Sequence, residues 1–139
     1  MRYYLDTNML VFILQKNKDN ISSSVNGILK DYSTILYVSS TAIKELIFLY
    51  KIGKISLDHY KHERDVIREL RQTYAIETLF FNEYHFAKYL SLNIAENHKD
   101  INDHAIIAQA ISDKIPLISS DHEFRSYTSQ GLEFIFNKI

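Results

Sequence analysis

The 139-residue chain has no cysteine, one proline and three glycines. Without cysteine there is no disulfide framework, no zinc knuckle and no thiol chemistry, which fits a reducing, cytoplasmic compartment. Scarce proline and glycine, with no low-complexity segment and no internal repeat, leave nowhere for an interdomain linker. Residues 1–139 therefore read as one domain, long enough to bury roughly 68% of its extended surface. No run approaches the ~18 apolar residues that a membrane span needs, and nothing before Asp6 has a signal-peptide pattern, so no membrane association is expected. A basic excess is missing too: 16 Lys and Arg face 17 Asp and Glu, for a net charge of −1. The usual electrostatic footprint of a nucleic-acid binder is absent. If four of the 17 acids faced a metal, the remaining 13 against 16 bases would permit binding to a polyanion without arguing for it.

What the chain does contain is 46% hydrophobic residues, enough for an ordinary core, and alternating strand and helix signals. Arg2–Leu5 is a short apolar run ending at Asp6, and Met9–Leu14 reads as an apolar helix start. Ile35–Ser39 is β-branched and aromatic and reads as a second strand. Ser40 or Thr41 can cap a helix to about Lys51, stopped near Gly53. Charges three and four apart predict a helix over Leu57–Thr73. Ile76–Phe81 reads as a third strand, with Glu77 suited to an edge. Helices are expected over Glu83–His98 and Asp103–Asp113, separated by the polar stretch Lys99–Asn102. Leu117–Ser119, with Pro116 tolerated at its start, and Phe134–Phe136 complete the sheet. This alternation predicts an α/β three-layer sandwich, a central and mostly parallel sheet flanked by helices.

In such sheets ligands bind beyond the carboxyl ends of the strands, and the returning helices bring their N-termini to that same edge. Four acids fall there. Asp6 ends strand one, Asp121 follows strand four, Glu45 lies in the first turns of the helix after strand two, and Asp103 opens the helix before strand four. Two carboxylates about 4 Å apart repel by roughly 4 kcal/mol at a dielectric of 20, so a gathering of four calls for a divalent cation.

Each acid also has a plainer role. Asp6 can be a helix N-cap, unless Thr7 or Asn8 takes that position. Asp103 can be a first-turn charge, worth only ~0.3–1 kcal/mol. Asp121 can sit inside a capping box formed by Ser120 and Glu123. Glu45 is harder to explain away, because Thr41, Ala42, Phe48 and Leu49 at helical spacing offer it no ion pair. Asp100, one turn before Asp103, reads as a fifth ligand, a partner of the ligands or a solvated loop acid. The six His residues show no paired ligand spacing, and only His122, beside Asp121, is kept as a substrate contact. Lys61, Arg64, Arg68 and Arg71 are interleaved with Asp65 and Glu69, which favours a solvated helix laced with ion pairs over a phosphate track. Most of the ten Tyr and eight Phe are expected in the core or at interfaces.

Four segments carry a resemblance: Leu5-Asp6-Thr7-Asn8, an internal Glu45, Asp100-x-x-Asp103-x-x-Ile106-Ile107-Ala108-Gln109-Ala110, and Leu117-Ile118-Ser119-Ser120-Asp121-x-x-Phe124. Together they resemble a PIN domain, and most closely the VapC-type toxins of bacterial toxin–antitoxin pairs, over nearly the whole chain. Ile101 and His104 depart from the Pro and Arg common there, and neither departure touches the acids. The resemblance implies a metal-dependent endoribonuclease with Asp6, Glu45, Asp103 and Asp121 as its catalytic acids. Carboxylates without Cys or paired His suit Mg2+ or Mn2+ over zinc. Asp6, Asp103 and Asp121 are expected to hold the ion, with Glu45 joining through water and Asp100 as a further candidate. Thr7, Asn8, Ser119, Ser120 and His122 are candidate RNA contacts. A cognate small antitoxin and a homodimer are the implied partners, with Phe48, Leu49, Tyr50 and Ile52 lining a groove for the antitoxin. The alternative is a catalytically inert PIN-like binding module. A receiver-like domain would need a phosphoacceptor Asp where strand three ends in Phe80-Phe81-Asn82 and a Lys directly after Ser119, and a haloacid-dehalogenase-type phosphatase would need an Asp where Asn8 stands.

Overall fold

The computed structural model describes residues 1–57 and 62–139. Five strands form one sheet: β1 (Arg2–Leu5), β2 (Ile35–Ser39), β3 (Ile76–Leu79), β4 (Leu117–Ser119) and β5 (Phe134–Phe136), in the order β3-β2-β1-β4-β5. Every pairing is parallel, so the mostly parallel sheet of the sequence reading is wholly so. The helices are α1 (Thr7–Leu14), α2 (Ser23–Lys30), α3 (Ser40–Lys51), α4 (Val66–Tyr74), α5 (Glu83–Ser91) and α6 (Ile101–Asp113). Crossovers move outward from β1 to β2 and β3, then return past β1 to β4 and β5. Right-handed connections in opposite directions put helices on both faces of the sheet, and the reversal lies beside β1.

Register explains why Leu5 and its neighbours define the core. Leu5 pairs with Val38 on one side and Ile118 on the other, and all three are fully buried. Met9 and Leu10 of α1, Leu46 of α3, Ile106 and Ile107 of α6, and Phe124 join the same cluster. Among the described residues no helix is long and apolar enough to cross a membrane.

Several boundaries differ from the sequence reading, each because another atom captures the backbone. Helix α1 starts at Thr7, since Asp6 itself is the cap. Ser39, one residue before the expected Ser40 or Thr41, caps α3 by accepting the Thr41 N–H at 3.0 Å. Strand β3 stops at Leu79, where Gln109 Nε2–H donates to the Leu79 carbonyl and the Phe81 N–H turns to Ser40 Oγ. Of the helix expected over Leu57–Thr73, residues 58–61 lie outside the described residues. The described part is a 3₁₀ turn, Glu63–Asp65, leading into α4. Helix α2 went unread in the sequence; Ser22 caps it, accepting the Val25 N–H.

The largest difference follows α5. The helix expected to run on to His98 ends at Ser91. Beyond it the Asn93 N–H donates to Gln130 Oε1 at 2.9 Å, the Asn93 carbonyl accepts from Gln130 Nε2 at 2.8 Å, and the Ala95 N–H donates to Tyr127 OH at 3.1 Å. Side chains of the 3₁₀ helix His122–Gln130 thus hold Asn93 and Ala95, and a turn through Asn97, where the His98 N–H donates to the Ala95 carbonyl, brings His98 to the start of α6.

Candidate metal centre

Asp6 leaves the end of β1 and is 3% exposed. Its Oδ1 accepts the Thr7 N–H at 2.8 Å and its Oδ2 accepts the Ser119 hydroxyl at 2.7 Å. One side chain thus serves as helix cap and as an acid in the site. Burial is the main force pushing its carboxyl up to about 7, opposed by the Ser119 hydrogen bond and assisted by the charges of Asp103 and Glu45. Glu45, on the second turn of α3, is half-buried and accepts the Thr7 hydroxyl at 2.8 Å. Burial raises its carboxyl as well, Thr7 lowers it and the charge of Asp100 raises it further.

Asp103 stands in the first turn of α6. Burial comes first in pushing it up to about 8, followed by the charges of Asp100, Glu45, Asp121 and Glu123. Asp121 caps the 3₁₀ helix, its Oδ1 accepting the Glu123 N–H at 2.9 Å, while its own N–H donates to Ser119 Oγ at 3.0 Å. The expected Ser120–Glu123 capping box is therefore replaced by Asp121 acting alone. Asp100 caps α6, its Oδ1 accepting from the Asn102 and Asp103 N–H groups.

These five acids line one cleft of about 620 Å³, together with Thr7, Asn8, Lys44, Phe48, Leu49 and Asn102. Lys44 is the only basic residue among those lining residues, and its Nζ donates to Asn102 Oδ1 at 3.0 Å. The cleft thus concentrates acids with little positive charge to hold them ionised, which adds to burial in pushing Asp6 and Asp103 upward. A divalent cation fits that deficit, and the oxygen donors suit a hard ion. Ser119, Ser120 and His122 do not line the cleft. Ser119 is buried behind Asp6, and His122 is exposed.

A PIN domain family model matches residues 3–129, a span that contains all five acids. The chain belongs to the PIN domain family. Solved structures repeat this PIN fold at low identity. VapBC2 from Rickettsia felis, bound to a promoter DNA fragment, is similar with a TM-score of 0.66 and 19% identity, covering 99% of this chain and 100% of that one. VapBC-1 from nontypeable Haemophilus influenzae gives 0.63 at 21% identity, covering 98% of each chain. VapBC-5 from Mycobacterium tuberculosis gives 0.58 at 20%, covering 99% of this chain and 98% of that one. None of the curated protein sequences compared matches the chain.

Within this PIN domain the sequence reading missed His98. The ring is buried, with Nε2 3.1 Å from Asp103 Oδ2 and Nδ1 2.7 Å from Tyr127 OH. His98, Asp103 and Asp121 each offer a ligand atom within 4.8 Å of the others. The missed signal was the His-x₄-Asp spacing at the head of α6, hidden once His98 was read as the last residue of a longer helix. His104 also acquires a role. A carbonyl can only accept, so His104 Nε2–H donates to the His98 carbonyl at 2.9 Å, and burial lowers the tendency of His104 to take up a proton.

Proposed function

We propose that this PIN domain is a metal-dependent endoribonuclease, the toxin of a type II toxin–antitoxin pair, acting in the cytoplasm as one domain over residues 1–139. The observation that carries the reading is the convergence of Asp6, Glu45, Asp103 and Asp121 on one cleft, where burial and neighbouring charge push the carboxyls of Asp6, Glu45 and Asp103 upward. Membership of the PIN family supports nuclease chemistry, and the likeness to VapBC structures supports the toxin role.

Asp6, Asp103 and Asp121 would hold Mg2+ or Mn2+, with Asp100 close by as cap of the helix that carries Asp103. When bound, the ion supplies an acidified water and offsets charge growing on the phosphoryl oxygens of an RNA phosphodiester. Glu45, fixed by Thr7, orients the attacking water and accepts its proton. Asn8, Asn102 and Lys44 line the cleft where an RNA strand would lie. Ser119 acts through Asp6 rather than on substrate. Ser120 and His122, away from the cleft, would meet RNA only at its margin.

A cognate antitoxin would cover the cleft. Phe48 and Leu49 line it, while Phe48 and Ile52 are 60% and 49% exposed, offering an apolar seat for an amphipathic segment. A homodimer is the second proposed partner. Light scattering of the purified chain and co-purification with a neighbouring-encoded small protein test both.

The decisive experiment incubates the protein with a mixed RNA pool, and with DNA, in Mg2+, Mn2+ or chelator. RNA cleavage that needs the metal and is lost in Asp6→Asn is the expected result. Binding without cleavage by the folded wild type, in either metal, would replace the nuclease by the inert binding module.

A further inference from the structure

We propose that His98 supplies an imidazole nitrogen to the cation of this site, making it a mixed nitrogen–oxygen centre that prefers a first-row transition dication such as Mn2+ over Mg2+. The inference rests on the metal-nuclease reading. His98 is 4% exposed, and its ring lies between the edge of His104 at 4.8 Å, Tyr127 at 5.3 Å and Phe124 at 6.0 Å. The ring is therefore held in one orientation, with Nε2 toward Asp103 and Nδ1 toward Tyr127. The three ligand atoms of His98, Asp103 and Asp121 lie within 4.8 Å of one another. Ligand atoms sharing one ion at about 2.1 Å stand no more than about 4.2 Å apart. The separation in the structure is therefore within roughly half an ångström of what one ion would span.

The other ring nitrogen completes the argument. A metal-bound imidazole nearly always hands its second N–H to a fixed oxygen. Tyr127 is buried, and its phenolic oxygen carries two lone pairs. The Ala95 N–H takes one of them at 3.1 Å, and the second faces His98 Nδ1 at 2.7 Å. With Nδ1–H donated to Tyr127, the Nε2 lone pair points at the space beside Asp103 and Asp121. Without the ion the same two contacts also accommodate the opposite tautomer, in which Tyr127 donates to Nδ1 and Nε2–H donates to Asp103. Carboxylate oxygens alone suit Mg2+, whereas one imidazole nitrogen weights the site toward Mn2+, Co2+ and their neighbours.

Calorimetric titration of Mg2+, Mn2+ and Co2+ into the full chain without RNA, with Co2+ absorption as a second readout, tests the assignment. His98→Gln keeps an N–H donor for Asp103 but has no ring lone pair. It should weaken Co2+ and Mn2+ about tenfold or more, shift the Co2+ spectrum, and leave Mg2+ within about threefold. Melting in chelator checks that the variant folds. Should it not, Tyr127→Phe carries the test, with loss of Co2+ affinity greater than loss of Mg2+ affinity as the expected result. Unchanged Co2+ binding, or equal weakening of Co2+ and Mg2+, overturns His98 as a ligand and leaves the nuclease reading standing. A wild-type protein that binds none of the three ions sinks the nuclease reading itself.

Discussion

The two ends of α6 carry the same pair of residue types in opposite states. At its C-terminal end, Asp113 meets His85 Nε2 at 2.8 Å and accepts the Tyr4 hydroxyl at 2.5 Å. His85 Nδ1 accepts the Asn82 N–H at 3.0 Å, so Nε2 carries the hydrogen that Asp113 receives. Burial, and then Asp113, push the Tyr4 hydroxyl further from ionising. The small cleft beside this pair holds one other charged residue, Arg2. At the N-terminal end, Asp103 meets His98 at 3.1 Å but faces Asp100, Glu45, Asp121 and Glu123. The first pair is satisfied within the fold, and the second is short of positive charge. A buried His–Asp contact therefore says little about function by itself; the uncompensated acids around it separate scaffold from site.

The largest effect that would break this comparison is on cleavage. Asp103→Asn should lower metal-dependent RNA hydrolysis about a thousandfold, the loss of several kcal/mol of charge stabilisation. Asp113→Asn should leave turnover per folded molecule within about twofold. Similar losses from both, in single-turnover assays, would erase the functional distinction.

Stability should reverse the order. Asp113→Ala strands His85 and Tyr4 and should cost about 2 kcal/mol or more in urea unfolding. Asp103→Asn, in chelator, should unfold no more easily than the parent, because an amide keeps an oxygen for His98 and never carries the buried charge that its neighbours disfavour. A destabilised Asp103→Asn would mean that this acid is structural.

The third expectation concerns pH. Asp6 and Asp103 ionise near 3.8 in the unfolded chain but at about 7 and about 8 when folded. The folded state therefore binds more protons between those values, and metal-free stability falls as pH rises from about 4 to about 8. Mn2+ should oppose that fall, binding more tightly as the acids lose their protons. Melting curves across this range, with and without Mn2+, measure both slopes; a metal-free stability that climbs with pH would contradict the assignment.

The smallest effect lies at the satisfied end. Asn82 caps α5, accepting the Tyr84 and His85 N–H groups. Asn82→Ala should cost about 1 kcal/mol and leave metal affinity unchanged. A change in Co2+ or Mn2+ binding would show that the two ends communicate.

Much of the fold was legible because its signals are local. The β-branched run Ile35–Ser39, the apolar run before Asp6 and the stop near Gly53, which takes φ 78°, each depend on a few neighbouring residues. The four acids were legible for the same reason, lying where strands end and helices begin. The loop after α5 was not legible, because Gln130 and Tyr127 hold it from more than thirty positions away. His98 went with it, and so did the reason for His104.

By itself, the sequence determined the alternation of strands and helices and the edge at which Asp6, Glu45, Asp103 and Asp121 arrive, since period, capping and chain direction are short-range properties. Only the tertiary structure decided which of their charges go uncompensated and which histidine faces them. Burial and Coulomb interaction depend on distance in space, and neither the 37 positions from Asn93 to Gln130 nor the 113 from Asp6 to Ser119 can be read as proximity along a chain.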